Sequence, residues 1–450
     1  MTRAVVNDRQ LHCWRSCSLL TTDNDRPYGP FPFLDYRMRR KLSALTEPPA
    51  SWPSWPQPAP NAEPYVLDAL HSGRWAISSM YNGRRLYERR FAESFASYLG
   101  VRHCVPTDHC SSALVMALEA LDLENGSEVV VPALTWVATA SAVFRAGLVP
   151  VLADVDPRTG TLSPETIAEA LTPSTAAVIV VHWACVMADM PTIIEFAGAR
   201  GLAVVEDTAQ AHGAAWQGRR AGTFGTFGCF SMQHAKVLSC GEGGALVTDR
   251  TDMVQRLEEL RADSRSYRST PHPGQLELAE TTSVMGSNFG LGELNAALLC
   301  AQLEILPEQH ARRNANYLLF ESLLAGSSGP DLLHRDPRQD QLSLYEIPII
   351  FPEGDNNEIA RSLTKLTGLN FHTPRPPLGQ SRLLQPWTKK TLSPLTRRFL
   401  ELHRDRAHPN ATHLTSHAVL LHHSAFLCAP EAVHYLAGVV RETMETVRVG

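Results

Sequence analysis

Long apolar runs are missing from this 450-residue chain. None approaches the ~18–20 residues that a membrane-spanning helix needs, so no span is expected. An excess of one charge is missing too. The chain has 41 Lys and Arg against 46 Asp and Glu, a formal net charge of −5. No run reaches the roughly five or six like charges of an interaction tail, and the basic footprint of a dedicated nucleic-acid binder is absent. Met1 to Asn24 lacks the apolar stretch of a secretory leader. Cysteine is sparse and unpatterned, with nine residues, an odd number. A chain of this size has core enough without disulfides, so free thiols in a reducing, cytoplasmic compartment are expected. Cys13 and Cys17 have no second pair at zinc-finger spacing, so no metal site is expected. Hydrophobic residues at 44% and charged residues at 19% mark a folded rather than a disordered chain.

The length suggests two or three domains. Residues 1–51 show no strong periodicity and read as an N-terminal extension. It runs into the proline-rich stretch PPASWPSWPQPAP, Pro48–Pro60, which is expected to be extended. From Ala62 onward helix and strand signals alternate. The spacing predicts helices over Ala62–His71 and Arg84–Leu99, the second with Tyr87, Phe91, Phe95 and Leu99 on one stripe. The β-branched run in GSEVVVPAL reads as a strand buried on both faces. Strand signals recur in PVLADV, AAVIVVHW, GLAVVED, GCFSM and GALVTD. This alternation argues for an α/β fold over residues 52–310, with a mostly parallel sheet covered on both faces. A helical pattern runs through Leu324. Residues 311–450 then read as a smaller α+β domain. It has a strand from Leu344, a helix over Glu358–Leu366, a less regular stretch to about His413 and a final helix over Pro430–Val447.

The stretch from Val204 to Asp249 carries the most chemistry. A buried strand ends in the acidic pair Glu206–Asp207. Open α/β sheets bind ligands at the carboxyl ends of their strands, and a carboxylate there suits a cationic centre. Lys236 follows about 30 residues later, ahead of the turn Gly241-Glu242-Gly243-Gly244. Pyridoxal phosphate needs such parts together. A lysine amine forms its Schiff base, a carboxylate faces its ring nitrogen, and hydroxyls or a helix N-terminus hold its phosphate. Ser231, Ser111 and Ser112 are the candidate hydroxyls, and Trp136 is the candidate ring to stack on the cofactor. Each feature alone is ordinary in a folded protein. Their order and spacing within one α/β domain carry the reading.

Four long motifs stand in a familiar order. They are VVVPALTWVATASAVFRAGLVPVLADVD (Val129–Asp156), EDTAQAHGA (Glu206–Ala214), FSMQHAKVLSCGEGGALVTD (Phe230–Asp249) and SNFGLGELNAALLCAQLEIL (Ser287–Leu306). Together they closely resemble the DegT/DnrJ/StrS family of pyridoxal-phosphate-dependent sugar aminotransferases, from about Trp52 to the C-terminus. The resemblance implies the fold-type I, aspartate-aminotransferase-like architecture. It implies that Lys236 holds the cofactor and shuttles protons, and that Asp207 pairs with the pyridinium nitrogen. Gln210 would bond the 3-hydroxyl and Trp136 would stack on the ring. Ser111, Ser112 and Ser231 would hold the phosphate. Asn288 resembles the asparagine that reaches the phosphate from the partner subunit, which implies a homodimer with shared active sites.

The form of the lysine motif, WPSWPQ and SGRWA resemble the branch of L-glutamine:scyllo-inosose and 2-deoxy-scyllo-inosose aminotransferases of antibiotic biosynthesis. The resemblance therefore implies transfer of an amino group from L-glutamine or L-glutamate to a keto-cyclitol or keto-sugar. Two alternatives stand beside it. One is a dehydratase and aromatase of the 3-amino-5-hydroxybenzoate synthase type. The other is a non-catalytic partner subunit, whose signature would be loss of Lys236 or Asp207. The sequence departs from the family at Cys110, where glycine usually precedes the phosphate-cup hydroxyls. It departs again at Ala184–Cys185, at Gly290, and in TPRPPLGQSRLLQP. These changes fall where substrates are chosen. His182, the pair His422–His423 and Cys240 read as packing residues rather than ligands or nucleophiles.

Overall fold

The computed structural model describes residues 49–325 and 330–449. Expectations for the N-terminal extension up to Pro48, Cys13 and Cys17 among them, lie outside the described residues. The described residues cluster as one compact unit.

The first helices among the described residues are α1 (Ala62–His71) and α2 (Tyr87–Leu99). Four strand–helix steps and a fifth strand follow: β1 (His103–Thr107), α3 (Cys110–Ala120), β2 (Glu128–Pro132), α4 (Val137–Arg145), β3 (Val149–Ala153), α5 (Pro164–Ala170), β4 (Thr175–Val181), α6 (Met190–Gly198) and β5 (Ala203–Asp207). Then come β6 (Phe227–Ser231), β7 (Gly244–Thr248) and α7 (Val254–Arg261). The seven strands form one sheet in the order β1-β7-β6-β5-β4-β2-β3. The pairs β2–β3, β2–β4, β4–β5 and β5–β6 are parallel, and only β7 runs against its neighbours. Every residue of β2, β3, β6 and β7 is buried, as a sheet covered on both faces requires.

Helix α2 shows why the core forms where it does. Phe91, Phe95 and Leu99 are buried on the expected stripe. Phe95 meets Phe230 of β6 edge-on, with ring centroids 5.0 Å apart. Each such ring withdraws enough apolar surface from water to contribute about 1.5–3 kcal/mol. The helix starts at Tyr87, three residues later than the pattern predicts. The Glu293 carboxylate accepts the N–H groups of Tyr87 and Glu88 and fixes the start there. That cap comes from a distant part of the chain. Gly100 ends the helix at φ 76°, a conformation that costs glycine little.

The 32-residue helix α8 (Glu293–Leu324) packs on α1 and α2 and leads to a second sheet. This sheet is antiparallel, in the order β8 (Asp331–Leu332), β9 (Glu346–Ile350), β11 (Ala418–His422), β10 (Phe371–His372). Helices α9 (Asn356–Thr367) and α12 (Pro430–Val449) accompany it. The stretch read as irregular holds β10, α10 (Ser393–His403) and the start of α11 (Pro409–His417). Helix α10 returns to β3, the edge strand of the large sheet. His403 Nε2 accepts the Leu152 N–H at 2.8 Å, and Arg398 donates to Glu128 at 2.7 Å. An open edge is thereby covered.

Among the described residues no helix is long and apolar enough to cross a membrane. No group of three or more His, Cys, Asp or Glu is arranged there to hold a metal ion. The seven described cysteines are free thiols.

Candidate active site

The carboxyl edge of the large sheet gathers the expected residues. β1, β2, β5 and β6 end there at Thr107, Pro132, Asp207 and Ser231, and the reversed β7 begins there at Gly244. Gly244 pairs with Thr107 on one side and Ser231 on the other. Helices α3 and α4 also begin at this edge, and no side chain caps either one. The first N–H groups of such a helix lack intrahelical acceptors and attract an anion. A Cβ on Gly244 would lie 2.4 Å from the His109 carbonyl carbon and 2.5 Å from the Cys110 nitrogen. Only glycine lets β7 approach the first turn of α3 so closely. Ser111 and Ser112 lie in the first turn of α3, half-buried and buried, and the buried Ser231 pairs with Gly244. Cys110 stands in the first turn, and burial pushes its thiol well up.

Alternation along β5 separates the acidic pair. Glu206 is fully buried and serves the fold. Its carboxylate accepts N–H groups from Gly222 at 2.8 Å and from Phe224 and Gly225 at 2.6 Å. His182 adds a contact at 3.1 Å. His182 Nδ1 accepts the Ala188 N–H, so Nε2 carries the proton toward Glu206. His182 is therefore a packing residue, as expected. Asp207 faces the site. The Thr139 hydroxyl donates to Oδ2 at 2.8 Å, and the Ala209 N–H donates to Oδ1 at 3.2 Å. Burial raises the Asp207 pKa against the pull of these donors, Lys236 and His182.

Lys236 sits in the loop between β6 and β7. Turn bonds shape that loop: the Lys236 N–H donates to Gln233 O, and His234 N–H to Gly241 O, both at 2.8 Å. The second sheet holds it from outside. His422 and His423 both donate from Nε2 to the Ala235 carbonyl at 3.2 Å, and Trp55 donates to the His234 carbonyl at 2.9 Å. The Ser424 N–H donates to His422 Nδ1, which leaves the proton on Nε2. The histidine pair is thus structural. The Lys236 ammonium lies 3.7 Å from the Tyr345 ring centroid. Burial lowers its pKa, and the negative charges of Glu346 and Asp207 and the Cys110 thiol oppose that. Cys240 is buried beside the glycine turn, and burial pushes its thiol up to about 12, so it packs rather than reacts.

The remaining expected residues line the same edge. Trp136 is the N-cap of α4, the helix that carries Thr139, and it is 49% exposed. Gln210 Oε1 accepts the Ala184 N–H at 2.6 Å, where Ala184 holds the left-handed φ of 60°. Asn288 is exposed, two residues before Gly290, which bridges to Thr107. Gly290 leaves room for Ile77, whose Cδ1 would lie 2.9 Å from an added Cβ. Sequence reasoning missed Thr139, Tyr345 and Glu346. Thr139 lies inside a quoted motif, yet nothing in its spacing marks it as the partner of Asp207.

A family model for the DegT/DnrJ/EryC1/StrS aminotransferases matches residues 62–382. The chain belongs to this family. It is an aminotransferase of the fold-type I architecture, and its cofactor is pyridoxal phosphate. It is similar to L-glutamine:2-deoxy-scyllo-inosose aminotransferase of Micromonospora echinospora, at 42% identity over 84% of this chain and 90% of that one. It is also similar to L-glutamine:scyllo-inosose aminotransferase of Streptomyces griseus, at 40% identity over 88% of this chain and 95% of that one. The crystal structure of 3-amino-5-hydroxybenzoic acid synthase superimposes with a TM-score of 0.76 at 29% identity, covering 90% of this chain and all of that one.

The residues at the sheet edge fit the family cofactor. Asp207 is a buried carboxylate that no cation among the described residues contacts directly, which a protonated ring nitrogen would satisfy. The uncapped start of α3, with its hydroxyls, suits a phosphate dianion. Lys236 is an amine whose neutral form burial favours. When bound, the cofactor supplies an aldehyde for an amine and a ring that withdraws electrons.

Proposed function

We propose that this enzyme transfers an amino group from L-glutamine or L-glutamate to a keto-cyclitol or keto-sugar in antibiotic biosynthesis. The observation that carries the reading is the pairing of Lys236 and Asp207 at one sheet edge. The whole-chain likeness to the two L-glutamine cyclitol-ketone aminotransferases supports the same substrates. The 3-amino-5-hydroxybenzoate type shares the fold at lower identity and remains second.

In this reading Lys236 binds the cofactor and then carries a proton to and from the reacting carbon as general base and acid. Burial keeps its amine less basic and so available for that work. Asp207 holds the ring-nitrogen proton, and Thr139 fixes the carboxylate. Ser111, Ser112, Ser231 and the start of α3 hold the phosphate. Gln210 bonds the ring hydroxyl and Trp136 stacks on the ring. Asn288 reaches the phosphate of a second copy, in a cytoplasmic homodimer with shared sites. Its exposure supports that role. So does a surface with exposed Trp75, Met80, Leu276 and Met285, where Met80 and Leu276 pair as a bridge. The test is a product assay. Holoenzyme with L-glutamine and 2-deoxy-scyllo-inosose or scyllo-inosose yields an aminocyclitol, detected by amine derivatisation and mass spectrometry. Formation of 3-amino-5-hydroxybenzoate, with no aminocyclitol, would instead support the second reading.

A further inference from the structure

Tyr345 and Glu346 are neighbours where the second sheet meets the lysine loop. Tyr345 lays its ring against the Lys236 amine. Glu346 opens β9 and stands opposite His422 of β11. Residues directly opposite each other in a sheet point to the same face, and His422 reaches the Ala235 carbonyl beside Lys236. Residues two apart on a strand share a face as well, and Leu420 pairs with His372 of β10. Glu346, His372 and His422 therefore stand on the one face that looks onto the lysine loop. The side chains agree with this register, for His372 Nε2 lies 3.1 Å from Glu346 Oε1. Among the charges acting on Lys236, that of Glu346 comes ahead of that of Asp207.

The other acids at this edge are engaged. Glu206 accepts three N–H groups and faces His182. Asp207 accepts from Thr139 and Ala209, and Glu242 faces His109 at 3.3 Å. Glu346 differs from these. Its side chain is 18% exposed, and among the described residues no lysine or arginine forms an ion pair with it. His372 is its one side-chain partner there and takes Oε1, so Oε2 is free to accept. A partly open carboxylate on the lysine side of the second sheet is a feature that holding the cofactor does not use.

Two unlike substrates visit this edge in alternating half-reactions. The amino-acid donor brings a carboxylate, which a second carboxylate repels. The acceptor is an uncharged ring with hydroxyls on neighbouring carbons, and each hydroxyl can donate. A bond from a hydroxyl to a charged oxygen is roughly twice as strong as one between neutral groups. We propose that Glu346, held by His372, accepts hydrogen bonds from the ring hydroxyls of the keto acceptor and so selects a polyol ketone; this rests on the keto-cyclitol or keto-sugar acceptor read above. Glu346 is a specificity-determining residue of the second half-reaction.

The test uses the holoenzyme with Glu346→Gln, which keeps the shape and removes the charge. Steady-state kinetics measure kcat/KM for glutamine and for scyllo-inosose or 2-deoxy-scyllo-inosose. Calorimetry measures binding of scyllo-inositol, a ring of hydroxyls with no carbonyl, which cannot react. In E346Q the ratio of kcat/KM for the ketone to that for glutamine falls about 10- to 100-fold, the span of a lost charge-assisted bond. Binding of scyllo-inositol weakens by a similar factor. A charge that acts only through Lys236 changes both half-reactions alike, because the same amine moves the proton in each. An unchanged ratio, or unchanged binding of scyllo-inositol, therefore overturns the proposal while the aminotransferase reading stands. A wild type that aminates no hydroxylated ketone overturns both together.

Discussion

The Lys236 ammonium lies 3.7 Å from the centroid of the Tyr345 ring. The two residues come from different sheets. Lys236 follows β6 of the large sheet, and Tyr345 precedes β9 of the small one. The small sheet therefore sets the environment of the amine as well as the position of its loop.

Tyr345→Leu removes the aromatic face and leaves Lys236 buried. The charged amine loses a contact of about 0.5–2 kcal/mol. Burial already lowers the Lys236 pKa, so the variant lowers it further. Capture of pyridoxal phosphate by the apo-protein, followed against pH, moves to lower pH in Y345L. Tyr345→Phe keeps the ring and restores the wild-type profile.

Asp207→Asn separates charge from shape. Burial raises the Asp207 pKa above its unfolded value, so the folded apo-protein holds that proton more tightly than the unfolded chain does. Stability from this group is full below the unfolded pKa and is lost as pH rises through the folded one. At neutral pH the apo variant therefore melts above the apo wild type, and it gains less on adding the cofactor. Amino transfer falls about 10²–10⁴-fold. Melting curves with and without cofactor check the first pair of outcomes, and kcat checks the last.

Glu206→Ala destabilises without touching the reacting edge. One buried and two half-buried N–H groups and the His182 imidazole lose their acceptor. The expected loss is about 3–5 kcal/mol, as for a buried pair with one partner removed. The urea midpoint falls, and the slope of the transition stays as in the wild type.

Gly244→Ala drives a methyl group into backbone atoms of His109 and Cys110. Those atoms cannot swing aside as a side chain can, so the start of α3 shifts. Amino transfer drops about 100-fold, as small misplacements at a reacting site do. Cofactor affinity, read by fluorescence titration, weakens while the circular dichroism spectrum keeps its shape.

The sequence made the cofactor edge legible because its parts are local. Asp207 ends a strand, Lys236 follows about 30 residues later in the loop after the next strand of the large sheet, and the glycine turn follows that. Three kinds of feature stayed hidden. Glu206 looks like a companion of Asp207 in the string, and only the alternation of β5 sends it into the turn at Gly222–Gly225. Thr139 meets Asp207 across 68 residues, so no window holds both. The region read as irregular contains short elements whose support is distant. Its strand β10 has two residues, and α10 is held through His403 bonded to Leu152 across 251 residues. Short elements of this kind take their stability from packing rather than from propensity. His372 belongs to that region, while Tyr345 stands 109 residues from Lys236 and His422 stands 187 from Ala235, so the outer wall of the site escaped a linear reading.

The central claim is that Lys236 anchors pyridoxal phosphate for amino transfer. The most direct measurement is the absorbance spectrum of the purified protein with pyridoxal phosphate, before and after L-glutamine, beside Lys236→Ala. The expected result is a visible band from the bound cofactor in the wild type that L-glutamine bleaches and the ketone restores, and no such cycle in K236A. A wild type that binds no pyridoxal phosphate, or a K236A variant that cycles like the wild type, would contradict it.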